Sequence, residues 1–579
     1  MTAADAQSGD RDPDGPRTRD DGDVPSAWHD DDGLGWRLAP LGPAAWRLVA
    51  DAEPSAELSR RLAAVRKRAL AAAPPILRDL LVGYRTLTTE LRPGAGGGAV
   101  ARALAAATGA AESPGDPGAS VTLPVDYGDA ADRTELEASL GLAWPALVAR
   151  HAAAAYHVAF LGFTPGFAYL HGLPPELSLP RRASPRTLPA GAVAIADGRA
   201  GVYPAAGPGG WWVLGTTPTQ LFDPWRASPT ALLPGDAVRF RPIGPGDAGP
   251  PSAAGGTARS DPPAGPAAAS GDAALVVVEA WPGGATLQGR PRHGVGHLGM
   301  AQAGALDPRA FAAAAHLAGA PLSAPALEFL VPHATLRAVR RLVAAAAGGG
   351  ARLRLEGRDL PIGRPFVWPA GQHLEVRPAP GGGTLTVLAV GGGLVPLSGA
   401  VGHRSLVGEG STDVRAGVGG FGRPLRAGDV LALAAAPLDP DPAWSGRWRF
   451  PQHLVLRLHP GPHAEDVAFE ALLARPLRLA ARDRMGARLD GTRIVPERAD
   501  VASEGVPAGA VQLPADGRPI VLLADRGRTG GYAIAAVVDP RDLRALAQAR
   551  PGSAITFRRY GAPRTVGYDG SRSWTIRSR

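Results

Sequence analysis

The chain has no cysteine and a single lysine among its 579 residues. The missing cysteine excludes disulfides, thiolate metal sites and a cysteine nucleophile, and it accords with a cytoplasmic protein. The lone lysine, Lys67, lies between Arg66 and Arg68, so nearly all positive charge is arginine. No apolar run reaches the roughly 18 residues of a membrane span, so no membrane association is expected. The acidic N-terminus lacks the apolar core of a secretory signal. No Gly-x-x-x-x-Gly-Lys-Ser/Thr loop occurs, which excludes a P-loop nucleotide site. No His-Glu-x-x-His occurs either, and His459 and His463 flank Pro-Gly-Pro, which prevents a ligand-presenting helix; no metal site is expected.

Aspartate is concentrated at the start. Residues 1–32 hold 10 Asp and 3 Arg, a local net charge of −7, which leaves about +15 for the rest of the chain. Residues 1–33 therefore read as a disordered acidic tail. The arginines beyond it are scattered among Ala, Pro and Leu and form no basic block, so no nucleic-acid partner is expected. The 77 Gly and 59 Pro approach a quarter of the chain, a composition of short strands and turns. The length fits three or four domains of about 150 residues.

One module occurs twice. Residues 188–240 carry LPAGAVAIA, PGGWWVLG, LFDPW and LLPGDAVRF; residues 506–557 carry VPAGAVQLP, TGGYAIAA, VVDPRDL and ARPGSAITF. Gly191 to Gly210 is 19 residues and Gly509 to Gly531 is 22; Gly210 to Gly235 is 25 and Gly531 to Gly552 is 21. A period this long is not a solenoid repeat but one β-rich module used once in each half.

Around this module the chain reads as α+β, predominantly β. Residues 34–95 form a small α+β domain, with strands near Trp36–Leu38 and Trp46–Val49, a helix over Ala56–Ala71 and a strand over Gly83–Leu91. Residues 93–119 are Gly/Ala-rich and expected to be partly loose. A helix is expected from Trp144 to Ala155, and β structure from Tyr156 to Phe240. Residues 120–243 make up the first repeated domain. Residues 244–273 are a Pro/Gly/Ala/Ser linker. Residues 274–560 form the second half, with a helix near Pro308–Ala318, and residues 561–579 a loose tail.

The densest stretch is FLGFTPGFAYLHGLP, Phe160–Pro174. Pro165 and Gly166 mark a turn, with Phe163, Phe167 and Tyr169 around it. Two readings stand: a turn covered by its own aromatics, or a pocket floor whose amides face an anion. Arg181, Arg182 and Arg186 form a basic edge beside prolines. Arginine forks suit carboxylate or phosphate; a solvated loop is the other reading. Tyr203 and Gly207–Trp212 follow, where Gly210 permits close backbone approach and Trp211 can wall a pocket.

These pieces, with Gly83–Leu87 and Leu123–Asp129, resemble the B subunit of bacterial ATP-dependent 5-oxoprolinase, also known as allophanate hydrolase subunit 1 or KipI-like. The second half resembles the C subunit of the same enzyme (allophanate hydrolase subunit 2, KipA-like). Its matching pieces are Thr286–Gln288, Arg292, His297–Asp307, Ala326–Glu328, Ala389–Gly393, Gly420–Asp429, His459–His463, Asp483–Leu489 and Asp525–Tyr532. The chain is thus similar to a natural B–C fusion, as in the carboxyltransferase region of urea carboxylase. It departs from the family pattern at Gly289, His316, Ala320, His403, Leu406, Gly527 and Arg528.

The resemblance implies cyclophilin-like barrels in each half. It also implies hydrolysis of the lactam amide of 5-oxo-L-proline to glutamate, coupled to ATP with Mg and performed with a separate 5-oxoprolinase A subunit. Asp307, Glu328, Asp483 and Asp525 become candidate acid, base or cation-binding groups. Binding candidates are Gly166, Phe167, Tyr169, Arg181, Arg182, Arg186, Tyr203, Gly210, Trp211, Arg292, Arg404, Arg484, Thr529 and Tyr532. Two other readings follow from the same family. One is a regulator that binds a sensor histidine kinase. The other is a urea-metabolism carboxyltransferase; Lys67 lies in a helical pattern, so this chain carries no biotin itself.

Overall fold

The computed structural model describes residues 27–244 and 273–561, apart from 74, 93–94, 110–117, 129, 183, 185, 408–409, 443–447, 449 and 465–467. Most of the expected tails and linker lie outside these residues. The acidic tail nevertheless ends earlier than residue 33. Ala27–His29 pairs with Gly35–Pro40 as a strand, and the buried Asp30 carboxylate accepts from Trp36 Nε1 and Arg61 Nη2, both at 2.7 Å.

The N-terminal unit is a five-stranded antiparallel sheet carrying two helices. Its helix Ala56–Ala72 starts where the Ser55 hydroxyl accepts from Leu58 N and buries Leu58, Leu62, Val65 and Ala69. The strand expected over 83–91 is shorter, Thr86–Leu91, and a further strand, Leu77–Val82, pairs with it. Residues 97–109, expected to be loose, are helical. Their Gly/Ala content allows close packing: a Cβ on Gly97 would lie 2.7 Å from the Trp46 ring, and Val100 and Leu104 are fully buried.

The repeated module is a seven-stranded barrel in both halves. In the first, the opening strand Ser120–Asp126 runs parallel to the last, Ala237–Ile243. In the second, His453–Pro460 runs parallel to Ala554–Arg559. All other pairings around each ring are antiparallel and follow one order. Even the irregularities coincide. A bulge follows the third residue of Tyr156–Leu161 and of Leu477–Arg482, and another follows the second residue of Ala192–Ala196 and of Ala510–Leu513. Such bulges bend strands so that a sheet can close. Gly191 and Gly509, at φ +81° and +83°, turn the chain where a Cβ would strike Thr217 O and Val538 O.

Between the barrels, residues 273–433 supply a seven-stranded and a five-stranded sheet that share one core, including Leu275, Val277, Leu287, Phe329 and Trp368. Helix Pro308–Ala318 buries Phe311 and Leu317 in a core continuous with the second barrel, each burial contributing about 1.5–3 kcal/mol. The second half therefore comprises two β units.

The halves are interleaved. Strand Asp500–Gly505 of the second barrel lies against the N-terminal unit, where Thr88 Oγ1 donates to Gly505 O at 3.1 Å and Tyr84 N to Ser503 O at 3.3 Å. Glu90 Oε1 receives the buried guanidinium groups of Arg528, at 2.7 Å, and Arg526. These groups set the register of one half on the other.

Candidate functional site

Three segments from distant parts of the chain meet where the halves join. The loop Gly162–Gly166 of the first barrel packs under the loop that begins at His297 and against the strand that begins at Thr529. Gly166 N donates to Leu298 O at 2.9 Å, and Phe163 N to Thr529 Oγ1 at 3.0 Å. A Cβ on Gly299 would lie 2.5 Å from Thr164 O, and one on Gly162 would clash with Thr529. Phe163 holds φ +59°, a left-handed conformation that a phenylalanine adopts only when its surroundings impose it.

Behind this loop the aromatic candidates form one cluster. Phe167 meets Tyr169, Tyr203 and Trp211 edge-on, with centroids 4.8, 5.1 and 5.6 Å away. Such pairs add about 0.5–1.5 kcal/mol beyond area burial. The rings are nearly fully buried, so Phe167 and Trp211 form a packed base rather than an open wall.

The basic edge divides. Arg182 Nη1 and Arg186 Nη2 bind the two oxygens of the buried Asp132 carboxylate at 2.8 and 2.6 Å, and Val213 N donates to the same carboxylate at 2.7 Å. Arg182 also stacks 4.5 Å over the Trp212 ring, and its amide donates to Gly210 O. These two arginines hold the helix Arg133–Leu140 to the barrel. Arg181 points elsewhere: it pairs with Asp197 at 2.7 Å, and its Nη2 lies 3.2 Å from where a Gly531 Cβ would stand.

In the second half, four candidates come together. A cleft of about 280 Å³ is lined by Glu328, Asp483, Arg484 and Asp525, with Thr286, Arg415, Val414 and Met485 among the other walls. Arg484 grips Asp525 bidentately at 2.8 and 2.9 Å, reaches Glu328 Oε1 with Nη1, and donates to Gly304 O at 2.7 Å. Glu328 Oε2 accepts from Leu306 N at 2.7 Å. Burial raises the Glu328 carboxyl above its ordinary value, and the neighbouring Arg484, which it shares with Asp525, offsets this only in part. Asp483 is exposed, and its Oδ1 accepts from Met485 N and Gly486 N of its own turn at 2.8 Å. A buried acid with a raised pKa beside a solvated carboxylate can divide proton donation from water activation.

Other candidates lie outside the cleft lining. Asp307 caps the helix Pro308–Ala318 through Arg309 N and Ala310 N and accepts from Gln548 Nε2 at 2.8 Å, so both its oxygens serve the fold. Arg292 is buried and pins the loop at Ser411 and Asp413 to Ala301. Thr529 serves the loop contact, and Tyr532 is 37% exposed on a strand paired with Asp500. Arg404 begins a short helix, and its side chain lies outside the described residues. Among the described residues, no group of three His, Asp or Glu side chains is placed to hold a metal ion, and no helix is long and apolar enough to cross a membrane.

Carboxyltransferase domain subdomains C and D match residues 36–233, and subdomains A and B match residues 298–559. The second half is 34% identical over 287 residues to the 5-oxoprolinase C subunit of Escherichia coli K12, covering 47% of this chain and 87% of that protein. The chain belongs to the carboxyltransferase-domain family. Its first half is 50% identical over 125 residues to the 5-oxoprolinase B subunit of Escherichia coli O157:H7; the match covers 21% of this chain and spans 57% of that relative's length. The crystal structure of TTHA0988 is 39% identical, with a TM-score of 0.77, and the match covers 90% of this chain and 100% of that one. This carboxyltransferase-domain protein thus joins a B-type and a C-type half in one chain.

Its departure at Arg528 has a structural reason. Arg528 is fully buried on Glu90 and Asp79 of the first half, an ion cluster that exists only because the halves are apposed. Sequence reasoning missed Arg415, a cleft residue with no local motif around it. Its Nη2 donates to Phe163 O, and its guanidinium lies 5.7 Å from the Phe163 ring centroid. It joins the cleft to the loop of the other half.

Proposed function

We propose that this chain is the B–C component of an ATP-dependent 5-oxoprolinase, hydrolysing the lactam amide of 5-oxo-L-proline to L-glutamate with a separate A subunit. The observation that carries the reading is the cleft in the second half, where Arg484 holds Glu328 and Asp525 together. Water adds to the lactam carbonyl carbon, the ring C–N bond breaks, and the nitrogen leaves with a proton. Glu328, whose carboxyl burial raises above its ordinary value, is the proton donor. Asp483 orients the water, and Asp525 fixes Arg484, which stabilises the developing negative charge.

The cleft does not fit a nucleoside triphosphate. It is small, and three carboxylates line it, while Arg182 and Arg186 are committed to Asp132. ATP with Mg is therefore assigned to the partner protein, and no step in this chain is routed through it. The reading places the complex in the cytoplasm.

The test mixes this chain with its A-type partner homologue, ATP and 5-oxoproline and follows glutamate. Release that requires all components supports the reading. Release without ATP, or none from folded protein, sinks it.

A further inference from the structure

The cleft contains a cation that the hydrolytic reading leaves unused. Arg484 is ion-paired with Asp525 and Glu328. Arg415 has no carboxylate within ion-pair distance among the described residues. Its Nη2 is spent on the main-chain carbonyl of Phe163, and its backbone amide on Asp413 Oδ1 at 3.1 Å. Arg415 is one of the residues that line the cleft. Asp413 and Asp525 lie near enough to favour its charge, but neither is in direct contact with the guanidinium. A buried guanidinium without a hydrogen-bonded carboxylate is favoured by a ligand that completes it. Its attachment also fixes its aim. Phe163 stands at φ +59°, held by Thr529, so the first half supplies the bracket and the second half the cation.

We propose that Arg415 is the specificity-determining residue of the cleft and binds the carboxylate of a small monocarboxylic substrate. The chemistry of the walls selects this ligand class. A guanidinium fork matches a carboxylate with two parallel hydrogen bonds. Glu328, Asp483 and Asp525 also line the cleft and repel a multiply charged phosphate more than a monocarboxylate. The volume of about 280 Å³ falls below the roughly 300–1,000 Å³ of drug-sized ligand sites and admits only a compact molecule. The carboxylate at Arg415 leaves the rest of the ligand facing Glu328 and Arg484. The inference rests on the hydrolytic reading for the identity of the substrate, not for the chemistry of the site.

The test is calorimetric titration of the full chain, without the A-type partner or ATP, with 5-oxoproline and with 2-pyrrolidinone, the same lactam lacking the carboxylate. Wild-type protein is expected to bind 5-oxoproline and to bind 2-pyrrolidinone about 10- to 100-fold more weakly. Arg415→Gln is expected to erase that difference, and Arg415→Lys to restore part of it. Equal binding of the two lactams by wild type, binding of neither, or unchanged preference in folded Arg415→Gln overturns the proposal. The ligand comparison on wild type decides the matter even if the variants fail to fold. Carboxylate-dependent binding without glutamate release in the complete assay would separate this inference from the hydrolytic reading, sinking only the latter.

Discussion

The amide of Phe163 donates to the hydroxyl of Thr529 at 3.0 Å, across 366 positions of the chain. One partner comes from the turn of the first half and the other from the Gly-Gly strand of the second. Both belong to motifs conspicuous in the sequence, and their meeting joins the two halves. Thr529→Val removes the acceptor while keeping the shape. The expected loss is about 1–2 kcal/mol of stability, from an amide left without its partner. Activity is expected to fall further than stability, because Phe163 carries Arg415. Activity loss no larger than the stability change would make the bond merely structural.

Arg182 lies on the basic edge that the sequence offers as an anion site, yet it holds the buried Asp132 together with Arg186. Arg182→Ala is expected to lower the melting temperature and leave KM unchanged. Asp132→Ala is expected to be harsher, by roughly 3–5 kcal/mol, since it strips two arginines and the Val213 amide of their acceptor. A raised KM with unchanged melting in Arg182→Ala would restore the anion-site reading.

Buried histidines set an acid limit. Burial pushes His151 down to about 3, and burial with the nearby Arg66 does the same to His297. The unfolded chain binds protons at these positions near pH 6.5, and the folded chain does not. Their contribution is therefore complete above pH 6.5 and is lost as pH falls from there towards 3. At pH 5 each is expected to have lost about 2 kcal/mol. Melting temperature should decline between pH 7 and 5, and His151→Gln should make that decline shallower. A flat profile over this range contradicts the account.

Much of the fold was legible because its turns are chemically constrained. Gly191 and Gly509 hold positive φ at equivalent corners, and Pro-Gly pairs mark the same turns in both barrels, so the repeat in sequence became a repeat in strand order. Helix Gly97–Gly109 escaped because its Gly and Ala content resembles a linker, whereas those small residues serve its approach to Trp46. The site was half legible. Glu328, Asp483, Arg484 and Asp525 sit in recognisable motifs and converge on one cleft. Asp307 sits in an equally recognisable motif but caps a helix, since motif membership does not distinguish a cap from a catalyst. Arg415 gave no local signal, because its meaning depends on Phe163, which is 252 residues away.

The central claim is that the cleft of the second half performs the hydrolysis, and Arg484 is its hub. The most direct measurement is ATP-dependent glutamate release from 5-oxoproline, in the presence of the A-type partner homologue, by wild-type protein and by Arg484→Lys, a substitution that keeps the charge but loses the bidentate fork. The account predicts steady release by wild type and a loss on the order of 100-fold or more in the folded variant. Equal rates from the two proteins would contradict it.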